Sequence, residues 1–131
     1  MLENKVDWLL DIGATRHFCS NKAFFENFCN VVDGGHVFMG NSSTARMLGK
    51  GKILLKLTFG KILALNDLFY VPFLCRNLVS GSLLKKAGLK LVFEGDKVIL
   101  AKNGDFMGKG YLSDGLFVLN SVLIIANEKY L

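Results

Sequence analysis

Short apolar segments broken by glycine and polar pairs run through most of this chain. Trp8-Leu9-Leu10 is an apolar run that ends at Asp11. Ile53, Leu55, Leu57 and Phe59 alternate with Leu54, Lys56 and Thr58, a period of two that gives a strand one apolar face. Gly60-Lys61 turns the chain back into a strand over residues 62–65, and another over 67–71 ends at Pro72, which has no N–H to give a ladder. Residues 36–39 and 44–48 read as the two arms of a hairpin around the polar tip Gly40-Asn41-Ser42-Ser43. Residues 77–79 form a further short strand. Leu89, Leu91 and Phe93 alternate with Lys90, Val92 and Glu94; the chain turns at Gly95-Asp96 and returns over 97–102. Asn103-Gly104 is a favoured hairpin turn, and strands over 105–109 and 116–119 finish a meander around Ser113-Asp114-Gly115. Asp33-Gly34-Gly35 reads as a turn. Two stretches have helical signals. Ser20 stands before residues 22–28, where Phe24 and Phe28 are four apart and face one way. Ser82 stands as an N-cap before residues 83–87, which Gly88 stops. The pattern predicts a mainly β fold with one short helix after Ser82.

Composition narrows the class. A chain of 131 residues and 14.5 kDa is one domain with room for one core. With 51% hydrophobic and 21% charged residues it is not a disordered segment. Glycine is frequent (14) and proline nearly absent (1), which suits many tight turns between strands. No apolar run approaches the roughly 18 residues of a membrane span. Residues 1–5 are followed by no long apolar region of secretory type, so the protein is expected inside the cell, in the cytoplasm. The net charge of +5 invites a nucleic-acid reading, but Lys50, Lys52, Lys56 and Lys61 sit between apolar residues and only Lys85-Lys86 are adjacent. Dispersed lysines of this kind are solvated strand faces, and they argue against direct nucleic-acid binding. Cys19, Cys29 and Cys75 are odd in number and widely spaced, the pattern of free thiols.

The candidate chemistry lies at Asp11. An ionised carboxylate at the end of a buried strand loses hydration unless local amides bond it. Gly13 suits the tight backbone that such a loop needs. On these residues alone, Asp11 either closes a turn or carries a function. His17, Cys19, Cys29 and His36 lack the close Cys and His pairs of a zinc site, so no metal is expected. Cys19 and His17 are two apart with nothing to orient them, which leaves the thiol without an activating base. Phe24, Phe25, Phe28 and Phe38 read as core. No phosphate loop or dinucleotide fingerprint is present, and no cofactor is expected.

The segment from Trp8 to His17, with Asp11-Ile12-Gly13-Ala14-Thr15 at its centre, resembles the active-site loop of retropepsin-type aspartic proteases. More specifically, it is similar to the protease segment of Ty1/copia-type retrotransposon Gag-Pol polyproteins, abundant in plants. The likeness continues through Gly40-Asn41-Ser42-Ser43-Thr44-Ala45, Leu48-Gly49-Lys50-Gly51, Leu68-Phe69-Tyr70-Val71-Pro72, Asn77-Leu78-Val79-Ser80 and Gly110-Tyr111-Leu112. It implies a protease domain over 1–119, with 120–131 as a tail outside the likeness. That tail is either a strand for a second copy or the place where a polyprotein reading frame ran out.

The resemblance implies a closed β-barrel of short antiparallel strands with a flap-like hairpin. It makes Asp11 catalytic and Gly13, Ala14 and Thr15 the rest of its loop. Gly40, Asn41 and Ser42 would be a substrate-binding flap, although an ordinary exposed hairpin end has the same composition. His17 would be a structural hydrogen-bonding residue near the loop. Hydrolysis by carboxylates takes two of them sharing one proton. Of the other acids with glycine two places on, only Asp33 qualifies, and His36 follows it, so no second half-site is expected there. A homodimer is implied, with peptide segments of a Gag-Pol polyprotein as substrate and a virus-like particle as the location if the element is active. One departure stands out: the family has Ser or Thr after the catalytic Asp, bonding across the dimer axis, and this chain has Ile12. The alternative is therefore a catalytically inactive β-barrel relic of such a polyprotein.

Overall fold

The computed structural model describes residues 7–31, 35–40, 43–74 and 76–124. In chain order the elements are β1 (Trp8–Asp11), β2 (Phe18–Cys19), a 3-10 turn (Lys22–Phe24), β3 (Glu26–Asn30), β4 (His36–Gly40), β5 (Ser43–Arg46), β6 (Gly49–Leu57) and β7 (Ile62–Tyr70). Then follow β8 (Asn77–Ser80), α1 (Gly81–Lys86), β9 (Leu89–Glu94), β10 (Lys97–Lys102), β11 (Asp105–Ser113), β12 (Leu116–Leu119) and β13 (Ser121–Ile124). The fold is mainly β with one short α-helix. Eleven strands form one sheet in the order β13-β6-β7-β2-β8-β1-β12-β11-β10-β9, with β3 joined to β6 beside this path. β4 and β5 pair with each other as a separate two-stranded sheet.

Alternation becomes burial where the period of two predicts it. Ile53, Leu55 and Leu57 on β6, and Leu63 and Leu65 on β7, turn into one core with Trp8, Leu10, Val79, Leu84, Val98 and Leu100. A second cluster, Phe18, Ala45, Met47 and Val71, seats the base of the β4–β5 hairpin. The polar break at Asn66-Asp67 does not divide two strands. It is a bulge within β7, where Asp67 takes φ +54° and the β6 register slips between Gly51 and Ile53. Asn103-Gly104 forms its hairpin with both residues at positive φ, the backbone that twisted strands favour.

The sheet does not close into a barrel. Among the described residues β9 pairs only with β10, while β3 and β13 share the far side of β6. The chain does curl toward closure. Asn120 passes directly from β12 to β13, Thr58 Oγ accepts from the Lys109 N–H at 3.3 Å, and Gly108 lies against Leu57. β11 therefore crosses the end of β6 at a point and makes no ladder along it. Nor is the sheet purely antiparallel: β1 runs parallel to β8, and β2 runs parallel to β7. Periodicity carries the spacing of a strand but not its direction. Long stretches separate these partners, as parallel pairing requires.

The helix expected over residues 22–28 is a single 3-10 turn capped by the Asn21 side chain, followed by strand β3. The reason lies on β6. Gly49 and Gly51 have no side chains, so the β3 backbone and the Phe28 ring approach closely; a Cβ at Gly49 would lie 2.8 Å from the Cys29 carbonyl oxygen. Phe25, Phe28 and Tyr70 then stack edge to face, which a helix through these residues would break. The cap of α1 is Ser80, two places before the Ser82 that the sequence suggests, and Gly88 at φ +96° ends that segment. The Asp33-Gly34 part of the predicted turn lies outside the described residues. We expect Gly49→Ala to push β3 off β6 and to cost about 1–3 kcal/mol in urea unfolding, with loss of the tyrosine near-ultraviolet signal from Tyr70.

Candidate active site

Strand β1 lies inside the sheet, with β12 antiparallel on one side and β8 parallel on the other. Trp8, Leu9 and Leu10 are buried, and the strand emerges into solvent at Asp11. The loop then turns back at once. The Gly13 N–H donates to Asp11 Oδ1 at 2.9 Å, and the Ala14 N–H donates to the Asp11 carbonyl at 3.3 Å. A local amide therefore does bond the carboxylate, as the sequence requires for an acid at this position.

The loop is held from behind by β8. Ser80 stands opposite Asp11 in the parallel register and is fully buried. Its hydroxyl donates to the Ala14 carbonyl at 2.6 Å and accepts from the Leu83 N–H at 3.1 Å, while its own N–H donates to His17 Nδ1 at 2.9 Å. His17 is thus a buried hydrogen-bonding residue beside the loop. Burial lowers its pKa to about 4, so the ring is neutral and its Nδ1 is free to accept.

Asp11 and Ile12 open onto a cleft of about 610 Å³ between β1, β12 and the segment before β8. Its walls are apolar, from Leu10, Leu74, Leu78, Leu116 and Phe117, and Arg76 is the other charged residue on it. Asp11 is the one carboxylate lining this cleft among the described residues. Ile12 is 66% exposed and also borders a second groove of about 730 Å³, toward Ser82, Lys85, Lys86, Leu91 and Phe93. A Cβ on Gly81 would lie 3.1 Å from Ile12 Cγ2, so the start of α1 leans directly on the loop. Thr15 is exposed.

Other expected residues fall elsewhere. Gly40 ends β4 opposite Ser43, and the arms pair as predicted, His36 with Arg46 and Val37 with Ala45. Asn41 and Ser42 lie outside the described residues, as does Cys75. Cys19 is buried, and burial raises its thiol pKa to about 12. Its sulfur bonds Asn21, while the ring of His17 bonds Ser80, so the two form no pair. No group of three or more His, Cys, Asp or Glu gathers as a metal site among the described residues. The residues missed by sequence reasoning are Ser80, Leu74, Arg76, Leu116 and Phe117. They reach the site only through the β1–β8 and β1–β12 pairings, which no local pattern announces.

Comparison with known proteins finds relatives of the chain. The family described as Pol polyprotein, beta-barrel domain, matches residues 8–89. A tobacco (Nicotiana tabacum) protein, the retrovirus-related Pol polyprotein from transposon TNT 1-94, is 33% identical over 117 residues, 88% of this chain and 9% of that polyprotein. The chain thus spans less than a tenth of the length of that relative. No solved structure matches.

The buried histidine gives the fold a pH signature. Its folded pKa lies below the ordinary 6.5, so as pH falls the unfolded chain takes up the proton first. His17 therefore withdraws stability between about pH 6.5 and 4 and withdraws no more below that. Between pH 7 and 4.5 the wild type should lose roughly 2–3 kcal/mol more than His17→Asn, measured by denaturant unfolding at both pH values.

Proposed function

This chain belongs to the Pol polyprotein β-barrel domain family, and on that footing we propose that it is the aspartic endopeptidase of a Ty1/copia-type retrotransposon polyprotein, acting as a homodimer with one Asp11 from each copy. The observation that carries the reading is the setting of Asp11. A carboxylate at the exit of a buried strand, bonded by the amide of Gly13, stands exposed at the lip of an apolar cleft. One acid per chain needs a second for hydrolysis, and a two-fold axis through the loop supplies it.

Two carboxylates held together cannot both ionise, so the pair keeps one proton and titrates as a unit. The ionised member takes a proton from water as that water attacks the peptide carbonyl, and the protonated member hydrogen-bonds the developing oxyanion. The β4–β5 hairpin, with Gly40, Asn41 and Ser42 at its tip, would close over an extended peptide and add it as a strand. The substrate would be segments of the Gag-Pol precursor, and the site of action the cytoplasm or a virus-like particle. The reading involves no membrane, no cofactor and no direct contact with nucleic acid.

Ile12 favours a second reading, an inactive β-barrel relic. At 66% exposure it presents an apolar side chain where the related proteases carry a hydroxyl that bonds across the axis. Ile cannot make that bond, and a buried amide left unpaired costs about 1–3 kcal/mol. Apolar contact between two Ile12 side chains offsets part of this. The proposal expects a weak dimer with low, pepstatin-sensitive peptide cleavage at acid pH.

Asp11→Asn should reduce cleavage by at least about 100-fold. Ile12→Ser should tighten the dimer by about tenfold or more, read by sedimentation. A strict monomer that cleaves nothing, with or without Ile12→Ser, would leave the relic as the answer.

A further inference from the structure

We propose that Ser80, seated by His17, is the positioning residue that holds the Asp11 loop in place for hydrolysis, an inference that rests on the reading of Asp11 given above. Between Asp11 and Arg16 the loop makes two internal bonds, from the Gly13 N–H to Asp11 Oδ1 and from the Ala14 N–H to the Asp11 carbonyl. Beyond the β1–β8 ladder that carries Asp11 itself, the loop's one hydrogen bond to another element among the described residues is the 2.6 Å bond from Ser80 Oγ to the Ala14 carbonyl. Past the ladder, the course of the loop is set by that tie and by the packing of Ile12 on Gly81.

The chemistry of the tie is specific. A serine hydroxyl has one hydrogen to donate and lone pairs to accept with. Ser80 gives the hydrogen to Ala14 and accepts from the Leu83 N–H, so the loop and the first turn of α1 are bound to one oxygen atom. The Ser80 N–H meanwhile donates to His17 Nδ1, at the far end of the same loop segment. Segment 14–17 is thereby pinned at both ends to one residue, and that residue lies opposite Asp11 in the β1–β8 register. His17 accepts this bond only with Nδ1 unprotonated, and burial of the ring favours that form. Ser80 touches neither substrate nor water in this scheme. It acts through Ala14 on the direction in which Asp11 leaves the sheet.

The test uses the full chain labelled with 15N, in five forms: wild type, Ser80→Ala, Ser80→Thr, His17→Asn and His17→Leu. Backbone order parameters for residues 12–15 are measured alongside those of β6 and β7, together with kcat and KM on a peptide that the wild type cleaves. In Ser80→Ala the loop order parameters should fall from about 0.85 to below about 0.6 while β6 and β7 stay rigid. Its kcat should drop about 100-fold, with KM changed less than about threefold, because a shift of about 1 Å at a reacting group has that effect. Ser80→Thr, which keeps the hydroxyl, should restore most of both. His17→Asn, which keeps an acceptor near the Nδ1 position, should behave as wild type, and His17→Leu should behave as Ser80→Ala.

If Ser80→Ala fails to fold, the two His17 variants carry the same comparison. Unchanged loop order in Ser80→Ala and in His17→Leu overturns the proposal. So does an equal loosening of loop and core, which would make Ser80 an ordinary buried serine. If the wild type shows no Asp11-dependent cleavage, the protease reading fails, and the order parameters still decide whether Ser80 holds the loop.

Discussion

Strand β1 has neighbours on both sides, and the site follows from what that burial demands. Trp8, Leu9 and Leu10 place apolar side chains inside the sheet while β8 and β12 take up the backbone groups on either edge. A carboxylate cannot follow them inward, so the chain leaves the sheet at Asp11 and turns sharply enough for Gly13 to bond its side chain. The parallel partner β8 ends at the same level, and Ser80 at its end starts α1. Loop, strand end and helix start thus converge because one apolar strand is buried in the middle of a sheet.

Much of this was legible in residue order, and what was not has a common cause. The alternation of Ile53, Leu55 and Leu57 became a buried face, and the turns at Gly60 and at Asn103-Gly104 lie where the residue types put them. These are local signals. The helix expected over 22–28 gave way to strand β3 because Gly49 and Gly51, more than twenty residues away, leave room for Phe28 and its backbone. Direction was equally hidden: nothing in Asn77-Leu78-Val79 says that it runs parallel to Trp8-Leu9-Leu10. Ser80 and Ser82 are both plausible caps by type, and only the bond to Leu83 chooses between them. For the site, Asp11 and its glycine turn could be read directly, whereas Leu74, Arg76, Leu116 and Phe117 could not, since they arrive from β12 and the segment before β8, far along the chain.

The family is described by a β-barrel, and this chain comes near that shape without sealing it. β11 meets β6 at Leu57 and Gly108, and Thr58 joins Lys109 and Asn120 at the same crossing, but the two strands diverge from there. The one curled sheet buries Trp8, Leu65 and Leu100 in a single core without closing on itself. Both grooves beside Ile12 open outward from this body, which leaves the loop and its isoleucine facing away from the chain's own core.

The register of β1 also fixes an order of events. Trp8 is paired with Asn77 on one edge and with Leu119 on the other, the latter more than a hundred residues downstream. On a ribosome, where the amino end of the domain emerges first, β1 can meet β8 midway but must wait for its second partner, β12, until nearly all of the domain has been made. Within the domain Asp11 is made long before Ser80, the residue it comes to lie opposite.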